Sequence, residues 1–493
     1  MTEQFKALFV LLILASTVFV IIRRPICPLV TSNEDFSNRR NSWYLLTASS
    51  FVVQNVWIYL LVAVIVLAFY VRKGSMVLGT FLILLFTVPP FNFEVRGIPG
   101  IEYLLSLDHP RVLSIILLGP VVAKLMADSK AIKIGSVKTD WFVISYIALP
   151  LLLQLQVDSI TNTARWAVYA GMDVFLPYYV ASRLIRTKAQ LVDALMSLAI
   201  GIMICALVST FEYQKSWLLY SAVPTNLGSN WQLGSYMMRD NNLRSMASGG
   251  HSIVLGYMLM VGLALVTFLN NHIKKKILVL IAAMTLAVGL FATGARGPWI
   301  GALAVVVAAI VTSQKPGKRI LQIGSLGLCI SIAVAVSPYA DRVKSLIPFI
   351  GSIENEDSVI YRQRLLETSL QVIGLNPILG SFDYMRNPLM QNLIQGEGII
   401  DLVNSYIGIT LTYGLVGLAI FSGILLTAGV LAFRTSRIEN LDIATKNAAR
   451  SLVLCLVGIS VTISTASSIS FIPWIYWIIV GLCVACQRVT TEK

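Results

Sequence analysis

Arg296 stands in the stretch TGARGPWI (293–300), at the seam of two membrane-length apolar runs and with no acid beside it. An isolated arginine at mid-span costs about 2.5 to 3.5 kcal/mol on insertion scales. The flanking Gly294, Gly297 and Pro298 say instead that the chain turns here, at a membrane interface. A guanidinium beside the free amides of a helix start makes a phosphate site. A second stretch, NNLRSMASGGHSIVLGYMLM, sets Arg244 and His251 on either side of a Gly-Gly break just ahead of another apolar run. The third is SVIYRQRLLETSLQVIGLNPILG, in which Val359, Arg362, Leu366, Leu370 and Ile373 recur at three- and four-residue steps. That spacing puts Arg362 on the apolar face of a helix, where an arginine is costly unless an anion meets it. On another face Arg364 and Glu367 are spaced to pair, and the helix should stop at Gly374, ahead of Asn376 and Pro377. If a base is needed to activate a hydroxyl, Asp401, Glu397 and His251 are the groups at hand; solvated loop acids and a helix-capping histidine are the plainer readings of the same residues.

The elements that must position these side chains are membrane helices. Of 493 residues 56% are hydrophobic and only 13% charged, and mean hydropathy is +0.77, which excludes a soluble globular chain. Apolar windows of bilayer length fall at 5–22, 51–71, 76–92, 111–127, 141–157, 163–182, 191–211, 251–270, 277–294, 297–313, 320–337, 404–433, 450–468 and 471–487. The expected fold is all-α and polytopic, with about fourteen transmembrane helices and one large outer loop containing short helices. Residues 1–337 hold the first eleven helices and an outer loop at 212–250, residues 338–403 form the large outer loop, and 404–493 hold the last three helices. Lys and Arg mark the inner side, so the N- and C-termini are both expected to be cytoplasmic.

With that topology the +14 net charge is an orientation signal and not a nucleic-acid footprint. The kind of base also differs between the sides. Fourteen Arg against two Lys fall outside, Arg23, Arg24, Arg39 and Arg40 among them, and eight Arg against fourteen Lys fall inside. Arginine grips phosphate or carboxylate with a two-bond fork that lysine lacks, so the outer face suits an anion; snorkelling and pairing with outer acids are the alternatives. Only Cys27 of the six cysteines lies on the outer side, which rules out a disulfide framework there, and His109, His251 and His272 have no metal-ligand spacing. No cofactor is expected. Asp173, deep in a span, is a functional candidate by position, with a hydrogen-bonded pairing to Tyr or Arg preferred. Trp43, Trp217, Trp231, Trp474 and Trp477 fit interface belts or sugar platforms equally.

TGARGPWIG, RSMASGGHSIVLGY, the loop helix YRQRLL with its GLNPILG ending, and GEGIIDLVNSYIGITLTYGLVGLAIF together resemble the O-antigen ligase and polysaccharide polymerase superfamily of bacterial inner-membrane proteins. The stretches run in family order over roughly the second half of the chain. The resemblance implies a metal-independent glycosyltransferase on the outer face of the inner membrane, with an oligosaccharide on undecaprenyl pyrophosphate as donor and a sugar hydroxyl as acceptor. It further implies that Arg296 binds the donor pyrophosphate and that Arg362 is the matching loop-helix arginine. Arg244 is a third candidate clamp, and among the groups available as a base Asp401 is the one taken as catalytic. His251, Glu397, Asn404 and Tyr406 are the expected substrate-binding residues. The bilayer, a chain-length regulator and a flippase are the partners such an enzyme would work with, and nucleic acid is not one. Val403 stands where ligases of the superfamily carry a histidine before the Asn-x-Tyr, which favours a polymerase of lipid-linked repeat units for exopolysaccharide, capsule or O-antigen. A ligase to another acceptor and a lipid-linked sugar transporter or flippase are the alternatives.

Overall fold

A computed structural model describes residues 3–30, 32–71, 77–129, 131–229, 238–239, 242–313, 317, 320–321, 324–325, 356–394, 398 and 400–491. The long helices are α1 (Glu3–Val30), α2 (Asn33–Val52), α3 (Val56–Val71), α4 (Val77–Thr87), α5 (His109–Ala127, with a π turn at Ser114–Leu118), α6 (Lys138–Val157), α7 (Ile160–Ala170, a π turn at Gly171–Phe175, then Leu176–Arg183), α8 (Lys188–Lys215), α9 (Ser252–His272), α10 (Lys276–Ala292), α11 (Arg296–Val311), α12 (Glu356–Leu375), α13 (Ser405–Arg437), α14 (Ile443–Ile463) and α15 (Ile472–Thr491). Every apolar window read from the sequence overlaps one of these helices except 320–337, which lies almost wholly outside the described residues. Among the described residues eight helices are long and apolar enough to cross a membrane, and four shorter ones are apolar. The chain is a multi-pass membrane protein. Its centre is α8, α9 and α15, the most enclosed of the long helices, with α4, α13 and α14 packed against them. Among the described residues sheet is confined to the hairpin β1 (Asn92–Arg96) and β2 (Tyr103–Asp108) and one shorter strand pair.

Residues 23–50, expected to be an outer loop, are helical. α1 and α2 are antiparallel neighbours: the Gln4 side-chain amide donates to the Phe51 carbonyl, Ser16 Oγ meets Tyr44 Oη at 2.6 Å, and the Phe19 ring packs on Phe36. Trp43 Nε1 then donates to the Thr87 carbonyl at the end of α4, the rings of Tyr59 and Phe91 lie 5.4 Å apart, and the Asn92 amide donates to Ser229 Oγ. The start of α1 thus lies at the end of the bundle that carries the 212–250 loop. α15 finishes at the other end, where Arg488 donates to the Ser182 carbonyl and Lys188 meets Asp442. The expectation of two termini on one side is therefore corrected: they lie at opposite ends of the bundle. Hydropathy misses α2 because it carries Glu34, Asp35, Arg39 and Arg40. The structure buries Arg39 (4% exposed) in a two-bond pair with Asp193 (1% exposed), so its charge is met by a partner 154 residues away and not by water. Arg23, Arg24, Arg39 and Arg40 accordingly leave the outer set of arginines.

α13, expected as one span from 404 to 433, is broken at Gly414 (φ 63°, ψ −166°). The amides freed by the break are met by the loop that follows α12: Leu415 N–H donates to the Pro377 carbonyl (2.8 Å) and Val416 N–H to that of Ile378 (3.2 Å). In return Ser381 N–H donates to the Leu411 carbonyl (2.8 Å). Irregular backbone inside a membrane protein persists only where such partners exist. The approach is so close that a Cβ on Gly414 would sit 2.2 Å from the Ile378 carbonyl oxygen.

Candidate functional site

Thr293 and Gly294 form the turn between α10 and α11, and Gly294 takes a positive φ of 58° that lets the chain reverse in two residues. Thr293 Oγ1 accepts from the Ala295 amide (3.2 Å), and Arg296, half-buried, opens α11. The 243–250 segment lies along this turn: Ser245 N–H donates to the Ala292 carbonyl (3.1 Å) and Arg244 Nε to that of Thr293 (3.1 Å). Two arginines 52 residues apart in sequence are thus brought to one reverse turn at a helix start, an arrangement that suits an anion.

His251 is the N-cap of α9. Its Nδ1 accepts from the Ile253 amide (3.1 Å), which leaves the proton of the neutral ring on Nε2. Burial, and then the Arg244 charge, hold its pKa down to about 4. A neutral ring with its proton on Nε2 acts there as a hydrogen-bond donor, a role that fits binding a substrate anion.

Asp401 lies just ahead of α13. The Tyr361 hydroxyl of α12 clamps its backbone at both polar groups, donating to the Asp401 carbonyl (3.2 Å) and accepting from the Asp401 amide (3.1 Å). Ser467 Oγ lies 3.4 Å from Asp401 Oδ1 and donates to the Leu402 carbonyl. Burial raises the Asp401 carboxyl above the usual carboxylate range, with the Ser467 hydroxyl and the Arg362 charge working the other way. Asn404 Oδ1 caps α13 by accepting from the Tyr406 and Ile407 amides (2.9 and 3.2 Å), which fixes the side chain with its Nδ2 donors turned away from the helix. Tyr406 pins α13 to α14 through the Ser460 carbonyl (3.2 Å). Between α6, α13 and α15 lies a cavity of about 240 Å³ walled by Tyr146, Asn404, Thr412, Tyr413, Ser467 and Tyr476, aromatic faces and hydroxyls of the kind that suit a sugar.

One connection joins the two clusters. The segment between α14 and α15 touches the arginine turn through Thr465, whose Oγ1 would be 2.6 Å from a Cβ on Gly297, and touches Asp401 through Ser467. Gly297 is what admits that approach.

The decisive comparison concerns this part of the chain. Residues 281–422 match the family model described as O-antigen ligase. No curated protein matches the chain. The matched segment begins in α10 and contains Arg296, Arg362, Asp401, Asn404 and Tyr406, together with both sides of the broken α13. Arg244, His251 and Ser467 lie outside it and are added by the fold.

Several expectations from the sequence need correction. Arg362 is exposed, and so are Leu366 (45%) and Leu370 (59%), whereas Leu365 (1%) and Val372 (5%) are buried against Tyr384, Met390, Leu393 and Leu411. Two apolar stripes coexist on α12, and the one that carries Leu365 and Val372 is the one that packs on the protein. Glu367 accepts from Gln363 (3.0 Å), not from Arg364. The helix ends at Leu375, within a residue of the expected stop. Glu397 and Trp231 lie outside the described residues. Asp173 is held by Arg111 (2.7 Å), the pairing preferred for it from the sequence. Trp43, Trp474 and Trp477 are buried in the core, so they are neither belts nor sugar platforms. Sequence reasoning passed over Tyr361 and Ser467; Tyr361 adjoins the Arg362 that drew attention, but nothing local marks Ser467.

Proposed function

We propose that the protein is a polymerase of undecaprenyl-pyrophosphate-linked oligosaccharide repeat units, acting on the outer face of the bacterial inner membrane to build an exopolysaccharide, capsule or O-antigen. The observation that supports this most is the α14–α15 connection, which touches both the arginine turn and Asp401, and so favours reading the two as parts of one site. Arg296 and Arg244 hold the donor pyrophosphate, with His251 Nε2–H as a neutral donor beside them. As the bond from the anomeric carbon to the pyrophosphate oxygen breaks, negative charge grows on the leaving group, and prearranged donors stabilise it more than they stabilise the ground state. The acceptor hydroxyl, lodged at the hydroxyl-lined cavity, attacks that carbon and passes its proton to Asp401, whose raised pKa makes it the better base. Arg362, exposed beside Asp401, steers the charged donor and keeps the carboxylate ionised.

The test replaces Arg296 with Ala and, separately, Lys in a strain lacking the native copy, and follows membrane abundance, surface polymer and lipid-linked units. Loss of polymer at normal abundance, with single lipid-linked units accumulating in the outer leaflet, is the expected result. Accumulation in the cytoplasmic leaflet would favour a transporter, and unchanged polymer would overturn the clamp.

A further inference from the structure

Glu212 lies in the last turn of α8 and is fully buried (0% exposed), yet none of the ion pairs among the described residues involves it. Its carboxylate is met by main chain alone. Oε1 accepts from the Leu219 amide (3.1 Å), and Oε2 accepts from two successive amides, Met246 (3.0 Å) and Ala247 (2.9 Å). A pair of adjacent N–H groups converging on one oxygen is how a backbone turn holds an anion; here the anion is supplied by the protein. Ala247 has φ 43°, a conformation that a residue with a Cβ keeps only where its surroundings hold it. The next residues back are tied as well. Ser245 Oγ lies 2.6 Å from Ser209 Oγ, one turn before Glu212 on α8, the Ser245 amide is held by Ala292, and Arg244 Nε is held by Thr293. Residues 244–247 are therefore stitched on one side to α8 and on the other to the turn that carries Arg296.

We propose that Glu212 is a positioning residue that acts through Arg244: its carboxylate fixes the 244–247 turn so that the guanidinium is carried to the Gly294–Arg296 turn. The proposal rests on the reading of Arg244 and Arg296 as a pyrophosphate clamp. A carboxylate is suited to the task because it accepts on both oxygens and donates on neither, whereas a glutamine would turn an NH₂ group toward one set of amides. A buried carboxylate without a cation is tolerated only with such hydrogen bonds, which explains why three amides converge on it.

The test is a double-mutant cycle on the full-length protein in lipid nanodiscs, with binding of inorganic pyrophosphate as readout. Glu212→Gln should weaken binding about tenfold, the scale of one lost hydrogen bond to a charged group. In an Arg244→Ala background the same change should add nothing, because the two residues act in series. Losses that multiply in the double variant, or wild-type binding by Glu212→Gln while Arg244→Ala is impaired, overturn the positioning role and leave the clamp standing. Unchanged binding by Arg244→Ala removes the clamp and this proposal with it. Should Glu212→Gln fail to accumulate, Glu212→Asp retains the charge on a shorter arm; the same coupling to Arg244 is expected, and independent losses overturn the idea.

Discussion

Arg39 and Arg244 are held in different ways, the first buried (4% exposed) and the second half-buried. Arg39 gives its two terminal nitrogens to Asp193 (2.7 and 2.9 Å) and a further bond to Ser197 (2.9 Å). Arg183 is treated alike, buried on Asp140 with the Tyr178 hydroxyl on the same carboxylate (2.5 Å). Arg244 is anchored through Nε to a backbone carbonyl. A carboxylate cancels a guanidinium where it stands and closes the fold around it. A carbonyl hydrogen bond aims the group along the turn. The first kind of arginine builds the bundle, and the second is the one proposed to hold a ligand's negative charge.

The comparison breaks most visibly at Asp193. Asp193→Ala leaves Arg39 charged and buried, and the expected loss is about 3–5 kcal/mol of stability, read as a lower melting temperature of the purified protein, with turnover per folded molecule unchanged. A variant as stable as wild type would show that the pair is not structural. Arg296→Ala should do the reverse: polymer formation falls about 10²- to 10³-fold, the scale of a lost transition-state donor, while stability moves by about 0.5 kcal/mol or less. A matched fall in melting temperature would place Arg296 with Arg39.

Gly414→Ala tests the scaffold between the two kinds of site. A methyl group at φ 63°, 2.2 Å from the Ile378 carbonyl, should cost about 2 kcal/mol or more through backbone strain and overpacking; unimpaired thermal stability would mean that the interlock with the α12 loop is loose. The smallest effect belongs to His251. Its pKa is about 4 in the fold against an ordinary 6.5, so the unfolded chain binds the extra proton between those values. Stability is full above pH 6.5 and declines as pH falls toward 4, by on the order of 1–2 kcal/mol. His251→Asn keeps a capping side chain and should flatten that part of the pH–stability curve; a curve that retains the wild-type slope would show that another group titrates.

How much of this was legible in the sequence depended on whether a residue's partner was near it in the chain. The Thr293–Arg296 turn and the end of the helix at Gly374–Leu375 announce themselves through Gly and Pro at fixed offsets, because turns and helix ends are made by neighbours. The face of α12 was misread for the complementary reason. Leu366 and Leu370 have the right period, but burial is decided by what the helix meets, and Leu365 and Val372 meet Met390 and Leu411. α2 was missed because a hydropathy window sums charges without knowing that Asp193 cancels one of them.

The sequence by itself determined that the chain is a bundle of membrane helices, that an arginine stands at a turn that opens a helix, and that the second half of the chain carries stretches resembling the O-antigen ligase family. These follow from composition and short-range spacing, which act within a few residues. Only the tertiary structure decided that Arg244 lies on the turn before Arg296, that Ser467 and Tyr361 hold Asp401, that α13 breaks where the α12 loop can satisfy its amides, and that the termini lie at opposite ends. Each of these depends on groups far apart in sequence meeting at hydrogen-bond distance. Where water is excluded, those meetings are obligatory, because a buried donor, acceptor or charge must find its partner wherever the fold brings one.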